Sequence, residues 1–361
     1  MPAAIHQFVA GYANGDAISN EARLLRDVFR AWGFASEIFC DPRSTLPELR
    51  RDARDVSAYP ATARPDDIVL LHLSIGSLAN EIFATLPVRK AILYHNITPA
   101  QYFTAINGQT AAELARGRRQ LEMLAHTATV NLADSQFNAR ELAAAGYHDP
   151  KVLPLVLNLD ALKPTAGTRA AKYFINHGIN ILFVGRCAPN KCIQDLLEAF
   201  FCFQRAVTPQ SRLVHIGSYA GCEPYYYYLR TRVRELRLES TVHFAGSVPQ
   251  SELNAYYARA NLFLCMSEHE GFCIPILEAM THNLPVLAFA AGAVPETMDG
   301  AGILFHEKKF DLVSEMMHRL ATDQSLRAAG ISGQQRRLDR YRHRDLPTEL
   351  RHHLQPLLSS Q

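Results

Sequence analysis

Short apolar runs alternate with helix-length amphipathic segments from one end of the chain to the other, and this alternation restricts the fold more than any other feature. Ile5–Ala10 leads through a Gly-bearing turn, Gly11 to Asp16, into a helix predicted over about Ala17–Trp32. In that helix Ala22, Leu25, Val28, Phe29 and Trp32 share one face at the 3.6-residue period. Further strands are expected at Ala35–Cys40, Ile68–Leu73, Lys90–Tyr94, Thr129–Ala133 and Lys151–Leu157, with helices at Thr110–His126 and Gln136–Ala145. Strand followed by helix, many times over, builds parallel sheets covered on both faces.

A second series begins beyond Lys163–Thr168, a polar stretch with Pro and Gly that reads as a linker. Its strands are expected at Ile179–Val184, Arg212–Ile216, Thr241–Ala245, Asn261–Cys265 and Pro285–Phe289. At 361 residues the chain is too long for one ordinary core. The pattern therefore predicts an α/β protein of two facing Rossmann-like doubly wound domains, 1–165 and 166–335. A basic helical tail, 336–361, is expected to be able to pack back on the first domain. Ligands of doubly wound sheets bind at the carboxyl ends of the strands.

Charge excludes one class of function. The 37 basic and 35 acidic residues leave a net charge of +2, so the chain as a whole has no electrostatic attraction for nucleic acid. Its seven cysteines are odd in number and several lie in apolar runs, which fits reduced thiols better than a disulfide framework. Met1–Asp16 lacks the charged and apolar regions of a signal peptide, and no apolar run is long enough to span a bilayer. The expected location is cytoplasmic, with any membrane contact peripheral and on the inner face.

Two stretches carry the chemistry. The first is Ser267–Glu296, where a strand end is followed by a polar loop with Glu270 and Gly271, then a helix with Pro275 in its first turn and Glu278 one turn in. Such a strand–loop–helix turns unpaired backbone N–H groups and the positive dipole end toward a ligand. The second is Gly185–Lys191, directly after a strand, where Arg186 and Lys191 share a loop suited to phosphate oxygens. Taken by spacing alone, the two glutamates fit a solvated loop and helix surface better than a site, and the two cations fit a solvated loop as well as a site.

In combination they are more specific. The run G-R-x4-K, then E-G-F-x-x-P-x-x-E-A-M, then P-V and a G-x-x-P-E turn, with the lead-in Phe244–Pro249 through Tyr256-Tyr257 to Ala260, resembles glycosyltransferase family 4 of the GT-B fold. The likeness covers the second half and, more loosely, the first. It implies a retaining transfer from an NDP-sugar, UDP- or GDP-linked, to a glycan or lipid-linked acceptor, in cell-surface polysaccharide assembly. Glu278 would bind the ribose hydroxyls, and Arg186 and Lys191 the diphosphate. Glu270, with backbone N–H groups around Gly271, Phe272 and Cys273, would meet the donor sugar. Gly11 and Gly15 would lie against the donor phosphates, and His95 in Tyr94–Pro99 would be the cleft histidine, with His72 its rival. Catalytic roles thus fall on His95, Glu270, Arg186 and Lys191. Cys192 and Cys273 stand where the family usually or often has Gly, and Gly11 and Gly15 are separated where the family often has adjacent glycines.

No cofactor and no metal is expected. The chain has no Asp-x-Asp pair, so two side-chain cations would take over the work of a diphosphate-bound ion. Asn190 and Cys192 spoil a P-loop, Gly11–Gly15 is not G-x-G-x-x-G, His269-Glu270 lacks the second His of a zinc protease, and G-x-S-x-G is absent. Arg116, Arg118 and Arg119 with Leu114, Leu121 and Leu124 read as a solvated helix face, the other reading being a lipid-facing one. Tyr225–Tyr228 reads as helix packing. Two other functions on the same scaffold remain open: a nucleotide-sugar epimerase, and a non-catalytic nucleotide-sugar-binding protein.

Overall fold

The computed structural model describes residues 4–157, 159–162 and 172–359. The expected linker at Lys163–Thr168, and with it the 165/166 boundary, lies outside the described residues. The chain divides into two compact units. One comprises Met1–Gln101, Gln109–Leu157 and Arg344–Gln361, and the other Tyr102–Gly108 and Asn158–His343. Residues 102–108, read from sequence as part of the first domain, thus group with the second unit.

In chain order the first series of elements is β1 (Ile5–Val9), α1 (Ala17–Ala31), β2 (Ile38–Cys40), β3 (Ala53–Asp55), β4 (Ile68–Leu73), α2 (Leu78–Thr85), β5 (Arg89–Tyr94), α3 (Gly108–Met123), β6 (Val130–Ala133), α4 (Gln136–Ala144) and β7 (Lys151–Val152). The second is β8 (Ile179–Val184), α5 (Ile193–Ala206), β9 (Ser211–Ile216), α6 (Glu223–Glu235), β10 (Val242–Gly246), α7 (Gln250–Arg259), β11 (Leu262–Cys265), α8 (Ile274–Thr281), β12 (Val286–Phe289), α9 (Val294–Met298), β13 (Ile303–Phe305), α10 (Phe310–Thr322), α11 (Gln324–Arg342) and α12 (Leu346–Leu358).

The first unit holds a seven-stranded sheet in the order β3-β2-β1-β4-β5-β6-β7, and every pair in it is parallel. The second holds a six-stranded sheet, β10-β9-β8-β11-β12-β13, also parallel throughout. In both, the order reverses beside the first strand, so each unit is a Rossmann-like doubly wound domain. Each has its switch point where two neighbouring strands send their connections to opposite faces, between β1 and β4 in one and β8 and β11 in the other.

Local sequence accounts for the elements. α1 starts where the Asp16 side chain accepts the Ser19 N–H at 2.8 Å. Its stripe of Ala22, Leu25 and Phe29 is fully buried, and Val28 and Trp32 pack on the edge of the same core. β4 is buried along its whole length because helices cover both faces of a parallel strand. β7 stops at Val152, well short of the expected Leu157, since Pro154 has no N–H to give a ladder. β3 and β13 are three-residue edge strands without an alternating pattern, which sequence reading passed over.

The C-terminal helix α12 closes the first unit. Leu350, Leu354 and Leu357 lie in one core with Ile5, Leu25, Leu70 and Leu93. Burying each such leucine contributes about 1.5–3 kcal/mol. Arg344 Nη1 donates to Pro154 O at 3.0 Å and Arg89 Nη1 to Leu357 O at 2.6 Å, so polar contacts fix both ends. In α3, Leu114 and Leu121 face the interior, and Leu124 just beyond it is also buried; Arg116 and Arg118 pair with Glu81 and Glu141. Tyr225 is buried in α6 and accepts the Ile193 N–H at 2.9 Å, while Tyr227 and Tyr228 are exposed.

Candidate active site

The loops that leave β8 and β11, at the switch point of the second sheet, hold most of the expected residues. Where β8 and β9 end, the two chains come so close that a Cβ on Gly217 would lie 1.9 Å from Gly185 O. Only glycine fits. The chain then turns out through Arg186, which is exposed and donates from Nη2 to Ala220 O at 3.0 Å. Among the described residues no carboxylate forms an ion pair with it. A single turn of 3-10 helix, Pro189–Lys191, follows, and Cys192 takes a left-handed conformation (φ 49°, ψ 48°) to start α5.

Lys191 points across to the neighbouring loop. Its Nζ lies 2.7 Å from both carboxylate oxygens of Glu270. Burial pulls the ammonium toward losing its proton, but the Glu270 carboxylate opposes this and the net direction is upward. Asn190, also buried, stitches the same two loops. Its Nδ2 donates to His269 O at 3.1 Å, and its own carbonyl accepts the Glu268 N–H at 3.0 Å.

The β11–α8 loop is held from behind. Gly292 sits so close that a Cβ there would fall 2.5 Å from Glu270 O, and the Ala293 N–H donates to that same carbonyl at 2.9 Å. Thr297 Oγ1 donates to Phe272 O. The G-x-x-P-E turn is therefore a brace under Glu270 and Phe272. Gly271 and Phe272 lead into Cys273, left-handed at φ 73°, and then α8 with Pro275 in its first turn. Cys192 and Cys273 thus both occupy the conformation that favours glycine, at about 1–2 kcal/mol each. In the first turn of α8 Pro275 has no N–H and the Ile276 N–H donates to Cys273 O at 3.1 Å, so the Ile274 N–H is the donor that turn can offer beside Glu270.

One turn into α8, Glu278 accepts from Tyr257 OH at 2.7 Å. Burial pushes the Glu278 carboxyl up, and the Tyr257 hydroxyl partly offsets this. Tyr257 in turn lies parallel to the His282 ring, 5.4 Å between centroids. Lys308 completes the surroundings, with Nζ 2.6 Å from Asp195 and 2.8 Å from Glu268. Lys308 was not singled out from sequence, and Asn190 was weighed there only as a residue that spoils a P-loop. Tyr257 figured there only in the Tyr256-Tyr257 lead-in.

In the first unit the expected residues lie at the other switch point. The β1–α1 loop carries Gly11 and the exposed, left-handed Gly15 (φ 73°). A pocket of about 320 Å³ opens beside it, lined by Gly11, Tyr12, Ala13, Asp16, Ser74 and Ile75. Tyr12 is pinned below, accepting from Arg23 Nε at 2.8 Å and donating to Asp52. A Cβ on Gly11 would meet only Ser44 O, at an ordinary 3.6 Å, so glycine is not sterically required there.

His95 follows β5, and its side chain is only 2% exposed. His95 Nε2 lies 2.9 Å from His72 Nδ1 with the ring planes within 4° of parallel, so the expected residue and its rival form one pair. His95 also faces Glu21 Oε2 at 3.6 Å and Asp134 Oδ2 at 3.5 Å. Burial draws the His95 ring toward its neutral form, but Asp134 and Glu21 outweigh it and the direction is up. Burial drives His72 well down, with His95 adding to the effect. Glu21 is pushed up to about 7 by burial, against the attraction of His95. Sequence reading missed Glu21, although it stands one turn before Leu25 on the buried stripe of α1, an unusual place for a charge.

The second unit thus brings Arg186, Lys191, Glu270, Gly271, Phe272, Cys273 and Glu278 onto the two loops and one helix at its switch point, and the comparisons bear on that unit most strongly. Residues 169–337 match the family model described as "Glycosyl transferases group 1". The O-antigen chain mannosyltransferase B of Escherichia coli is 30% identical over 146 residues, 40% of this chain and 38% of that protein. A GDP-mannose-dependent alpha-(1-6)-phosphatidylinositol monomannoside mannosyltransferase of Mycobacterium tuberculosis is 26% identical over 196 residues, 51% of this chain and 50% of that protein. The matches therefore span half or less of these relatives' length. Among solved structures, a sucrose-phosphate synthase from Thermosynechococcus elongatus aligns at a TM-score of 0.77, 18% identical, covering 99% of this chain and all of that one. Anabaena HepE in complex with UDP and glucose aligns at 0.75, also 18% identical over 99% of this chain and 100% of that one. At that identity the likeness is one of fold. The fold is GT-B, two Rossmann-like doubly wound domains. No helix among the described residues is long and apolar enough to cross a membrane.

Proposed function

We propose that this chain is a glycosyltransferase that moves a sugar from a nucleoside-diphosphate sugar to a glycan or lipid-linked acceptor with retention at the anomeric carbon. The observation that carries the reading is the grouping of Arg186, Lys191, Glu270 and Glu278 at one switch point, around the N-terminus of α8. The donor's C1–O bond to the diphosphate breaks and a C1–O bond to the acceptor hydroxyl forms on the same face. The hydroxyl proton passes to the departing diphosphate oxygen. Negative charge grows on that diphosphate as the bond breaks, so fixed cations there favour the transition state over the bound donor. Arg186, which has no carboxylate partner among the described residues, is the principal cation. Lys191 and the first-turn N–H of α8 add to it, and the diphosphate needs no divalent ion. Glu278 accepts from the ribose hydroxyls, Glu270 from the sugar, and Gly11 and Gly15 line the approach of the phosphates. His95 acts as a positioning residue, because its ring nitrogens are turned to His72 and Asp134.

The donor is GDP-mannose. Several relatives are named as mannosyltransferases, and several of those names specify GDP-mannose, while another is named as an alpha-monoglucosyldiacylglycerol synthase. Those names also speak for a glycan or lipid-linked acceptor, and they give no support to an epimerase. The test is release of nucleoside diphosphate from GDP- and UDP-sugars with candidate acceptors, alongside Arg186→Ala and Glu278→Ala. Normal donor binding and turnover in both variants would remove the basis of the assignment.

A further inference from the structure

β9 ends in an apolar run, Leu213, Val214 and Ile216, that is broken by one histidine. His215 is 2% exposed and stands in register between Phe183 of β8 and Phe244 of β10. Its imidazole lies within 27° of parallel to the Phe183 ring at 5.7 Å between centroids, and Phe244 packs from the other neighbouring strand at 5.5 Å. The two aromatic rings hold the plane of the third.

His215 Nε2 lies 3.0 Å from Gly185 O. A carbonyl oxygen only accepts, so the ring carries its proton on Nε2. Nδ1 is then a buried lone pair, with no hydrogen-bond partner among the described residues. Burial pushes the ring down to about 4, against the raising effect of the Gly185 carbonyl, so it is neutral at ordinary pH and holds that one proton. An apolar side chain between two phenylalanines would fill the same space without stranding an acceptor. What the histidine adds is one donor, aimed at one carbonyl.

That carbonyl belongs to the residue before Arg186, and the rest of the turn is held from the same side. The Gly185 N–H donates to Ile216 O at 2.9 Å, the Cys187 N–H to Ser218 O at 2.8 Å, and Arg186 Nη2 to Ala220 O at 3.0 Å. Residues 215–220 thus form a mould for the chain on both sides of Arg186 and for the tip of its side chain. We propose that His215 is a positioning residue of the donor site: by holding the Gly185 carbonyl, its Nε2–H sets the peptide from which Arg186 turns out toward the diphosphate. The inference rests on the proposed nucleoside-diphosphate site. His215 is buried and acts through Arg186. A guanidinium that grips two phosphate oxygens needs its fork held in one direction, and an error at the peptide is carried to the end of a long side chain.

The test is calorimetric binding of GDP to the full chain carrying His215→Gln, His215→Asn or His215→Phe, each alone and with Arg186→Ala. The Gln amide nitrogen reaches the place of Nε2, the Asn amide reaches only that of Nδ1, and Phe keeps the ring without a donor. Affinity is expected to follow the donor. It should stay close to wild type in His215→Gln and fall about 2- to 10-fold in His215→Phe and His215→Asn, the worth of one hydrogen bond. With Arg186→Ala no guanidinium remains to be aimed, so His215→Phe should cost nothing further. A histidine that only supports the fold would weaken binding equally in both backgrounds, or in step with the unfolding temperature of each variant, and either result overturns the proposal. So does wild-type affinity in His215→Phe; should that variant not fold, His215→Asn decides in its place. If Arg186→Ala itself binds GDP as tightly as wild type, the donor-site reading falls and this inference with it. If Arg186→Ala binds weakly and His215→Phe normally, that reading stands and this inference alone fails.

Discussion

Lys191 Nζ stands 2.7 Å from both carboxylate oxygens of Glu270, joining two loops that leave different strands. The pair is largely shielded, with side chains 20% and 9% exposed. Removing one partner strands the other, which for a fully buried pair costs about 3–5 kcal/mol. Partial exposure lowers that, so Lys191→Met should cost about 2 kcal/mol in urea unfolding. The double variant Lys191→Met, Glu270→Gln should recover part of the loss. Additive losses would show that the pair is not coupled.

The same pair fixes a pH dependence. The folded Lys191 pKa lies above its ordinary value, so the contribution is complete below the lysine range, about 10.4. It is lost only as pH rises through the higher folded value. The stability difference between wild type and Lys191→Met should therefore be flat from roughly pH 6 up to the lysine range, about 10.4, and shrink only above it.

Gly292 gives a steric prediction. An alanine Cβ would meet Glu270 O at 2.5 Å at a backbone angle (φ 56°) that disfavours side chains. Gly292→Ala should lose about 2 kcal/mol of stability and weaken donor binding, because the loop under Glu270 must shift. Gly11→Ala, with only a 3.6 Å contact, should change stability by less than about 0.5 kcal/mol. Thermal unfolding of the two side by side checks both.

What could be read from sequence follows the reach of the interactions. β4 and β8 were legible to the residue because long apolar runs buried on both faces are local signals. β3 and β13 were not, since three-residue edge strands draw their stability from one neighbour each. Arg186, Lys191, Glu270 and Glu278 stood out through a resemblance rather than through spacing. The Lys191–Glu270 pair joins positions 79 residues apart, and nothing near either residue announces it. The bond from Asn190 to the loop of Glu270 and the His72–His95 pair are hidden for the same reason. The long reach of Tyr12 to Asp52 is another case.

Glu278 and Tyr257 predict a graded loss of nucleotide affinity. A charged acceptor lost from a ribose diol is worth about 1.5–3 kcal/mol, so Glu278→Gln should weaken nucleoside diphosphate binding by roughly 10- to 100-fold. Tyr257→Phe removes only the neighbour at 2.7 Å and should weaken it less. Burial raises the Glu278 pKa, so the carboxylate gains its proton at a pH above the usual glutamate value of about 4.3. Affinity should accordingly fall at mildly acid pH in wild type and stay level in Glu278→Gln. Titration calorimetry over pH separates the two curves.

The most direct measurement is calorimetric binding of GDP to the wild-type chain, Arg186→Ala and Lys191→Met, each with and without magnesium. Two side-chain cations and a helix terminus as the diphosphate's counter-charge predict wild-type affinity indifferent to magnesium and a loss of about tenfold or more in each variant, the worth of one charge-assisted contact. Wild-type binding that requires magnesium, or variants that bind as tightly as wild type, would contradict it.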